Sequence, residues 1–314
     1  WLLVCDAQPF EIVIEESGGT RHLRSVRMDE EHLVAVPPRS NAQDEEEADI
    51  TLHLDRFGEL GPPLTAHVRR LASEPAVRTE ARDGLVLLTN GRGAMARLHA
   101  DFGAIRSKYD CLLGANLHPE VPSERWILAK RVRAWVNANG FITALDGQNL
   151  QSLSAGPCPE WTFLANAGAG RRVGIRIRAR FADEANCIVL AIGRFPPPEG
   201  ELPREARVHV TLRFDLEDRS MYGETVANPA LEEHFARSTS LLEAGTGILF
   251  APDPARRLRI SAPQGSYHSG IEWTRGIVHA LEENRGLAAR GDAYSPGWFE
   301  LRLGSRSANL WLCL

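Results

Sequence analysis

Strict two-residue alternation of apolar and polar side chains constrains this chain more than any other feature. In RVHVTLRFD, residues 207–215, Val208, Val210, Leu212 and Phe214 alternate with Arg207, His209, Thr211 and Arg213. A period of two puts the first set on one face of a strand and the second on the other. Residues 173–181 repeat the pattern, with Val173, Ile175, Ile177, Ala179 and Phe181 inward and Arg176, Arg178 and Arg180 outward. Further strands are expected at residues 10–15, 50–54, 85–88, 127–136, 187–192, 257–260, 299–303 and 309–314. Asn139-Gly140 tolerates the positive φ angles of a type I′ turn and predicts a hairpin; Asp146-Gly147 marks a second turn. Helical periodicity is confined to PALEEHFAR, residues 229–237, with Pro in the first turn. Many strands and few short helices predict a mainly β fold class, a large antiparallel β-sandwich of supersandwich-like size.

Composition narrows the partners. The 314 residues are 43% hydrophobic and 25% charged, which is ordinary for a globular chain and enough for a sizeable core. A net charge of −5 gives no electrostatic reason for nucleic acid as a partner. No apolar run approaches the ~20 residues that span a bilayer, so no membrane partner is expected. The opening WLLVC is too short for a secretory apolar region and has no basic start. Five cysteines at wide spacing, with no CxxC, read as free thiols of a reducing, cytoplasmic protein. Residues 37–49, PPRSNAQDEEEAD, have the composition of a solvated connector, and the prolines of residues 195–203 separate two strands.

Chemistry-bearing patterns are few. Residues 84–117 read GLVLLTNGRGAMARLHADFGAIRSKYDCLLGANL. The glycines around Arg92 allow a tight turn or close approach of a ligand. A phosphate loop would end in Lys and Ser or Thr, and a dinucleotide site needs a helix that Gly103 interrupts, so no such cofactor is expected. His99, His118, His209, His234, His268 and His279 are scattered without metal-ligand spacing, and no metal is expected. No serine lies in a GxSxG context. Paired carboxylates that could act as general acid and base are Asp215 with Glu217 and Asp292 with Glu300. The stronger reading of both is solvated acidic turns beside strands. Arg176, Arg178, Arg180, Arg207 and Arg213 form either one basic sheet face or, the favoured reading, a wet face with cross-strand ion pairs. Tyr294 and Trp298 flank Ser295-Pro296-Gly297, which reads as an exposed turn at the domain edge where a sugar ring could stack.

Two separated segments carry a family resemblance. Thr89-Asn90-Gly91-Arg92-Gly93-Ala94-Met95-Ala96, followed by Arg106-Ser107-Lys108-Tyr109-Asp110-Cys111-Leu112-Leu113, resembles TNGxGGYxSxT…RxYHGLL. Glu282-Glu283-Asn284-Arg285-Gly286, followed by Gly291-Asp292-Ala293-Tyr294-Ser295-Pro296-Gly297-Trp298-Phe299-Glu300-Leu301, resembles ExxRGxxxxEDLxSPGxFExxL. Both patterns belong to the N-terminal domain of bacterial and archaeal glycogen-debranching, amylo-α-1,6-glucosidase-like enzymes. The chain departs from them at Ala94, Met95, Asp110 and Cys111, which suggests a divergent subgroup.

The resemblance covers roughly residues 83–314 and implies a β-sandwich domain there. Residues 1–82 are read as a strand-rich part of the same sandwich or a small lobe. The domain is expected to be non-catalytic. It would brace a helical (α/α) barrel of the same polypeptide, expected after residue 314, with an α-glucan as further partner. The alternative is a stand-alone carbohydrate-binding or interaction module. Candidate substrate or interface residues are Asn90, Arg106, Tyr109 and Asp110 in the first segment and Asp292, Tyr294 and Trp298 in the second. The two segments are expected to meet on one surface, with Arg106 placed to pair with Asp110 or Asp292.

Overall fold

All the alternating segments form strands in the computed structural model. It describes residues 2–16, 19–28, 31–36, 48–58, 61–70, 78–79, 84–118, 120–121, 124–197, 200–203, 205–304 and 307–314. The chain divides into two units, Trp1–Pro75 and Ala76–Leu314.

In the first unit the strands are β1 (Leu2–Asp6), β2 (Phe10–Glu16), β3 (Gly19–Arg24), β4 (Val26–Met28), β5 (Glu31–Val36), β6 (Ala48–Arg56) and β7 (Leu64–Arg70). They form a three-stranded sheet, β1-β5-β4, and a four-stranded sheet, β3-β2-β6-β7. Phe10, Ile12 and Ile14, spaced two apart on β2, bury one face with Val34 and Leu52. The acidic connector lies outside the described residues up to position 47.

The second unit holds β8 (Arg78–Thr79), β9 (Leu85–Thr89), β10 (Ala94–His99), β11 (Cys111–Asn116), β12 (Arg125–Ala138), β13 (Phe141–Ala144), β14 (Leu150–Ser154) and β15 (Glu160–Asn166). There follow β16 (Arg172–Phe181), β17 (Cys187–Phe195), β18 (Val208–Ser220), helix α1 (Pro229–Arg237), β19 (Thr239–Leu241), β20 (Gly247–Asp253) and β21 (Arg256–Ser261). The last elements are β22 (Gly265–Val278), the short helix α2 (Ala280–Glu283), β23 (Arg290–Arg302) and β24 (Ala308–Cys313). One antiparallel sheet runs β22-β23-β18-β12-β11-β10-β9, with β13 paired to β12; the other runs β19-β20-β21-β24-β17-β16-β15-β14-β8.

The two large sheets share one core, which makes this unit a β-sandwich. Val208, Val210, Leu212 and Phe214 of β18 are buried with Trp161, Phe163, Ile175 and Ile177 of the opposite sheet. Each such side chain stabilises the fold by about 1.5–3 kcal/mol before entropy is counted. Phe102 closes one end edge-on against Trp161, ring centroids 5.4 Å apart. The β12–β13 turn has Asn139 at φ 53° and Gly140 at φ 93°, as a type I′ hairpin requires. Asn228 caps α1, its side chain accepting the Leu231 N–H at 3.1 Å.

Two expectations are corrected, and one open alternative is decided. Ser295-Pro296-Gly297 is not an edge turn but part of β23, a strand flanked on both sides in its sheet by β22 and β18. Pro296 cannot donate, and the registers with both neighbours shift opposite it, between Ser269 and Glu272 on β22 and between Arg213 and Leu216 on β18. Gly297 is required there because a Cβ would lie 2.1 Å from the His268 carbonyl oxygen. Second, the five cysteines are not all free: Cys187 and Cys313 are directly opposed on β17 and β24, Cα atoms 4.0 Å apart, and form a disulfide. Their separation of 126 residues hid the pairing, which only the sheet register creates. The alternative on the arginines falls against one shared basic face. Arg176, Arg178 and Arg180 lie on β16, whereas Arg213 lies on β18 of the other sheet. Arg178 pairs with Glu160 across the strands, the wet-face arrangement.

Candidate functional site

A buried ionic junction joins the two sequence segments. It begins in the loop of residues 100–110, between β10 and β11. Gly103 turns that loop at φ +81°, with so little room that a Cβ would lie 2.5 Å from the Val132 carbonyl oxygen. Asp110, 1% exposed, closes the loop. Its Oδ2 accepts the backbone N–H groups of Arg106 at 2.7 Å and Ser107 at 2.8 Å, and His99 donates to it from Nε2 at 2.9 Å. Arg97 pairs with Oδ1. Burial pushes the Asp110 carboxyl up, but the bonds from His99 and the loop amides outweigh it and hold the carboxyl below its ordinary range.

Glu282, on α2, locks this loop from the other segment. Its Oε1 accepts the Ser107 hydroxyl and its Oε2 the Lys108 N–H, both at 2.9 Å. The Leu281 N–H donates to the Arg106 carbonyl at 2.9 Å. Glu282 is fully buried, and against that burial these two bonds lower its carboxyl pKa.

Two buried cations complete the junction. Lys130 Nζ donates to the Lys108 carbonyl at 2.8 Å, and Arg219 reaches the same oxygen at 2.6 Å while pairing with Glu217 at 2.9 Å. Burial, with Arg219 nearby, lowers the Lys130 pKa, and Glu217 opposes the shift. His279 sits 1% exposed beside this group, with neither ring nitrogen hydrogen-bonded. Burial first, then the fields of Lys130 and Arg219, bring its pKa down to about 4, so the ring is neutral.

Outside the buried group lie Tyr109 and Tyr222, edge-on with ring centroids 6.4 Å apart. Tyr222 is 60% exposed. Lys108 Nζ pairs with Glu224 at 3.0 Å and lies 5.6 Å from the Tyr109 ring centroid. A polar cleft of about 310 Å³, lined by Asp101, Arg106, Asp146, Gly147 and Gln148, opens on the same loop.

The structure therefore brings Arg106, Tyr109 and Asp110 together with the start of the second segment, through Glu282. Asn90 stands apart, at the opposite end of β10. Its Oδ1 accepts the Arg92 and Ala94 N–H groups, and its Nδ2 donates to the Ala185 carbonyl at 2.9 Å. Asp292 ties backbone instead, accepting the Ala227 and Gly276 N–H groups at 2.8 Å each. Tyr294 is no surface platform: it is 1% exposed and packed among Phe235, Phe250 and Trp273. Trp298 stacks on His268 at 5.4 Å, and the Arg213 guanidinium lies 5.8 Å from its ring.

The candidate carboxylate pairs are corrected as well. Asp215 and Glu217 lie inside β18 and are buried, not in a solvated turn after it. Asp215 is held by Arg131 at 2.6 Å and Arg133 at 2.8 Å, whereas Glu217 belongs to Arg219. Asp292 and Glu300 stand eight residues apart on β23, about 26 Å at strand spacing, too far for a hydrolytic pair.

Ser107, Lys108, Lys130, Arg219, His279 and Glu282 were not singled out by sequence reading as a site, and Glu217 was weighed only as a carboxylate partner of Asp215. One signal was present for Lys130: it shares the inward parity of Val132, Ala134 and Val136 on β12.

Fold and junction together define a class: a large antiparallel β-sandwich domain pinned at one corner by buried ion pairs. The glycogen debranching enzyme N-terminal family matches residues 85–309, most of the chain, and the chain belongs to that family. No curated protein sequence matches it.

Proposed function

We propose that this chain is the non-catalytic N-terminal domain of an amylo-α-1,6-glucosidase-type glycoside hydrolase. Its ionic junction braces a helical catalytic barrel of the same polypeptide, and an α-glucan passes along the cleft beside Arg106. The observation that carries the reading is the Ser107–Glu282 lock. It makes the two family-like segments one rigid corner and presents Tyr109 and Tyr222 beside it. A rigid support with aromatic contacts outside is what a docking face needs. Asp101, Arg106, Asp146 and Gln148 supply the charged and amide groups that bond sugar hydroxyls.

The carboxylates speak for an accessory role. A glycosidic general acid needs a raised pKa, yet Asp110 and Glu282 are both lowered. Asp215 and Glu217 are committed to arginines. The reading places the protein in the cytoplasm, with the glucan store.

Glucose release from a branched limit dextrin tests this. The 314-residue chain alone should release none, and the complete polypeptide should. In the complete polypeptide, Tyr222→Ala should weaken branch hydrolysis or lower the melting temperature of the catalytic part. Turnover by the chain alone that disappears in Asp215→Asn overturns the accessory role. Full activity and stability in Tyr222→Ala overturns the bracing corner.

A further inference from the structure

Among the described residues β9 is the terminal strand of its sheet and is paired on one side only, with β10. The hydrogen-bond phase fixes which residues face the open side. The Asn90 N–H donates to the Ala94 carbonyl, and the Ala100 N–H donates to the Gly84 carbonyl. Gly84, Val86, Leu88 and Asn90 thus turn their backbone groups toward β10. By the alternation of an antiparallel ladder, Leu85, Leu87 and Thr89 turn theirs away from it. Among the described residues these groups have no strand to pair with.

The side chains leave the edge unguarded. Natural sheets protect a free edge with lysine, proline, a bulge or a covering segment, because a bare row of N–H and C=O groups templates another strand. Leu85-Val86-Leu87-Leu88-Thr89 has no charge, no proline and no register shift. Leu85 is 50% and Leu87 62% exposed. Beside the strand lies an open cavity of about 550 Å³, lined by Leu87, Thr89 and Asn90 on one side and Pro157, Phe181 and Asp183 on the other.

We propose that β9 is a self-association edge, pairing antiparallel with β9 of a second copy of this chain about a two-fold axis at Leu87. The strand is self-complementary in this register. Leu87 faces Leu87 of the second copy, and Leu85 faces Thr89 in both directions. Every outward N–H and C=O of the three residues then gains a partner. This is the isologous arrangement that a two-fold demands. No like charges meet, and the two Leu87 side chains cover each other at the centre. The contact is one short strand per copy, well below the area of a standard stable interface, so the dimer is a weak one.

Sedimentation velocity on the 314-residue chain, over about 1–100 µM, tests the proposal in the range where small interfaces dissociate. The wild type should shift with concentration from 34.7 kDa toward twice that mass. Leu87→Lys should stay at the lower mass throughout. Leu87→Pro, which removes only an outward-facing N–H, should behave likewise. Both variants should keep the wild-type melting temperature at low concentration, where the edge is bare in all three. Hydrogen exchange gives a second readout: the Leu85, Leu87 and Thr89 amides should exchange fast in the monomer and slow several-fold in the dimer. A wild type that stays monomeric at the highest concentration overturns the proposal. So does a dimer that survives both substitutions. Slow exchange of these three amides in the monomer also overturns it, since another segment of the same chain would then cover the edge.

Discussion

Glu282 and Ser107 lie 175 residues apart in the chain and 2.9 Å apart in the fold, with the carboxylate accepting the hydroxyl. The contact decides whether the loop of residues 100–110 has one conformation. Asp110 organises that loop from within, and Glu282 fixes it from α2.

Removing Glu282 leaves the Ser107 hydroxyl and the Lys108 N–H buried without an acceptor. Each orphaned donor costs about 1–3 kcal/mol, so Glu282→Ala should destabilise the second unit by about 2–6 kcal/mol. At ~2–4 °C per kcal/mol for a domain of this size, the melting temperature should fall by roughly 4–24 °C. Ser107→Ala should cost less, about 1 kcal/mol, because Lys108 keeps its partner. In a double-mutant cycle by calorimetry the two changes should be non-additive. Strict additivity would mean that the contact carries no energy of its own.

His279 sets a pH dependence with a definite sign. Its folded pKa is about 4, against an ordinary value of 6.5. Between those values the unfolded chain takes up a proton that the folded chain refuses, so stability falls as pH drops from about 6.5 to 4. Asp110 and Glu282 act in the same direction at lower pH. Their depressed pKa values give stability that is present above the ordinary carboxyl range and lost as pH falls through the folded values. Melting curves from pH 7.5 down to about 3 should therefore decline monotonically for the wild type. His279→Phe should flatten the upper part of that decline while leaving the carboxyl part. Parallel curves for the two proteins would contradict the buried neutral imidazole.

The strands were legible because each large sheet buries one face, which writes a period of two into β16 and β18. The β12–β13 hairpin was legible because Asn-Gly suits only a few turns. Pro296 misled for a physical reason: proline in a strand interior is tolerated where both neighbours bulge, and a bulge in a partner strand leaves no mark near the proline itself. The junction was only half visible. Arg106, Tyr109 and Asp110 sit in a recognisable segment. Lys130 and Arg219 come from β12 and β18 and His279 from the junction of β22 and α2, and sequence gives no distance between them. The aromatic reading failed at Tyr294 because a strand residue and a turn residue have the same composition, and only packing against Phe235 and Trp273 tells them apart.

The Cys187–Cys313 bridge should make stability sensitive to reductant, contrary to what cysteine spacing alone implies. It closes a loop of 126 residues, and bridges of this kind contribute about 2–4 kcal/mol. Reductant, or Cys313→Ser, should lower the melting temperature by roughly 4–16 °C. A thiol titration in denaturant should find three thiols before reduction, Cys5, Cys111 and Cys158, and five after it. Five thiols in freshly purified protein would show that the pair is held reduced. That result would suit the cytoplasmic reading, since bridges of this kind are rare there.

Glycines in the two family-like segments should differ sharply in what they tolerate, although sequence presents them alike. Gly91 has ordinary backbone angles, and a Cβ there would meet nothing within 4 Å. Gly91→Ala should be neutral, or stabilise by a few tenths of a kcal/mol through the unfolded chain. Gly93 sits at φ +87° with Asn116 Cβ 3.1 Å from an added methyl, so Gly93→Ala should cost about 1–2 kcal/mol. Gly297 is the severe case. Its added Cβ would stand 2.1 Å from the His268 carbonyl oxygen and 2.5 Å from the Tyr267 hydroxyl, inside the β22–β23 ladder. Neither neighbour can yield without parting the two strands, because the carbonyl is backbone and Tyr267 packs at 5.1 Å on the buried Phe299. Gly297→Ala should destabilise by more than about 3 kcal/mol and give mostly insoluble protein. Thermal melts of the three variants side by side decide the matter. Equal tolerance at Gly91 and Gly297 would mean that β22 and β23 are not packed as the register of Gly297 against Ser269 requires.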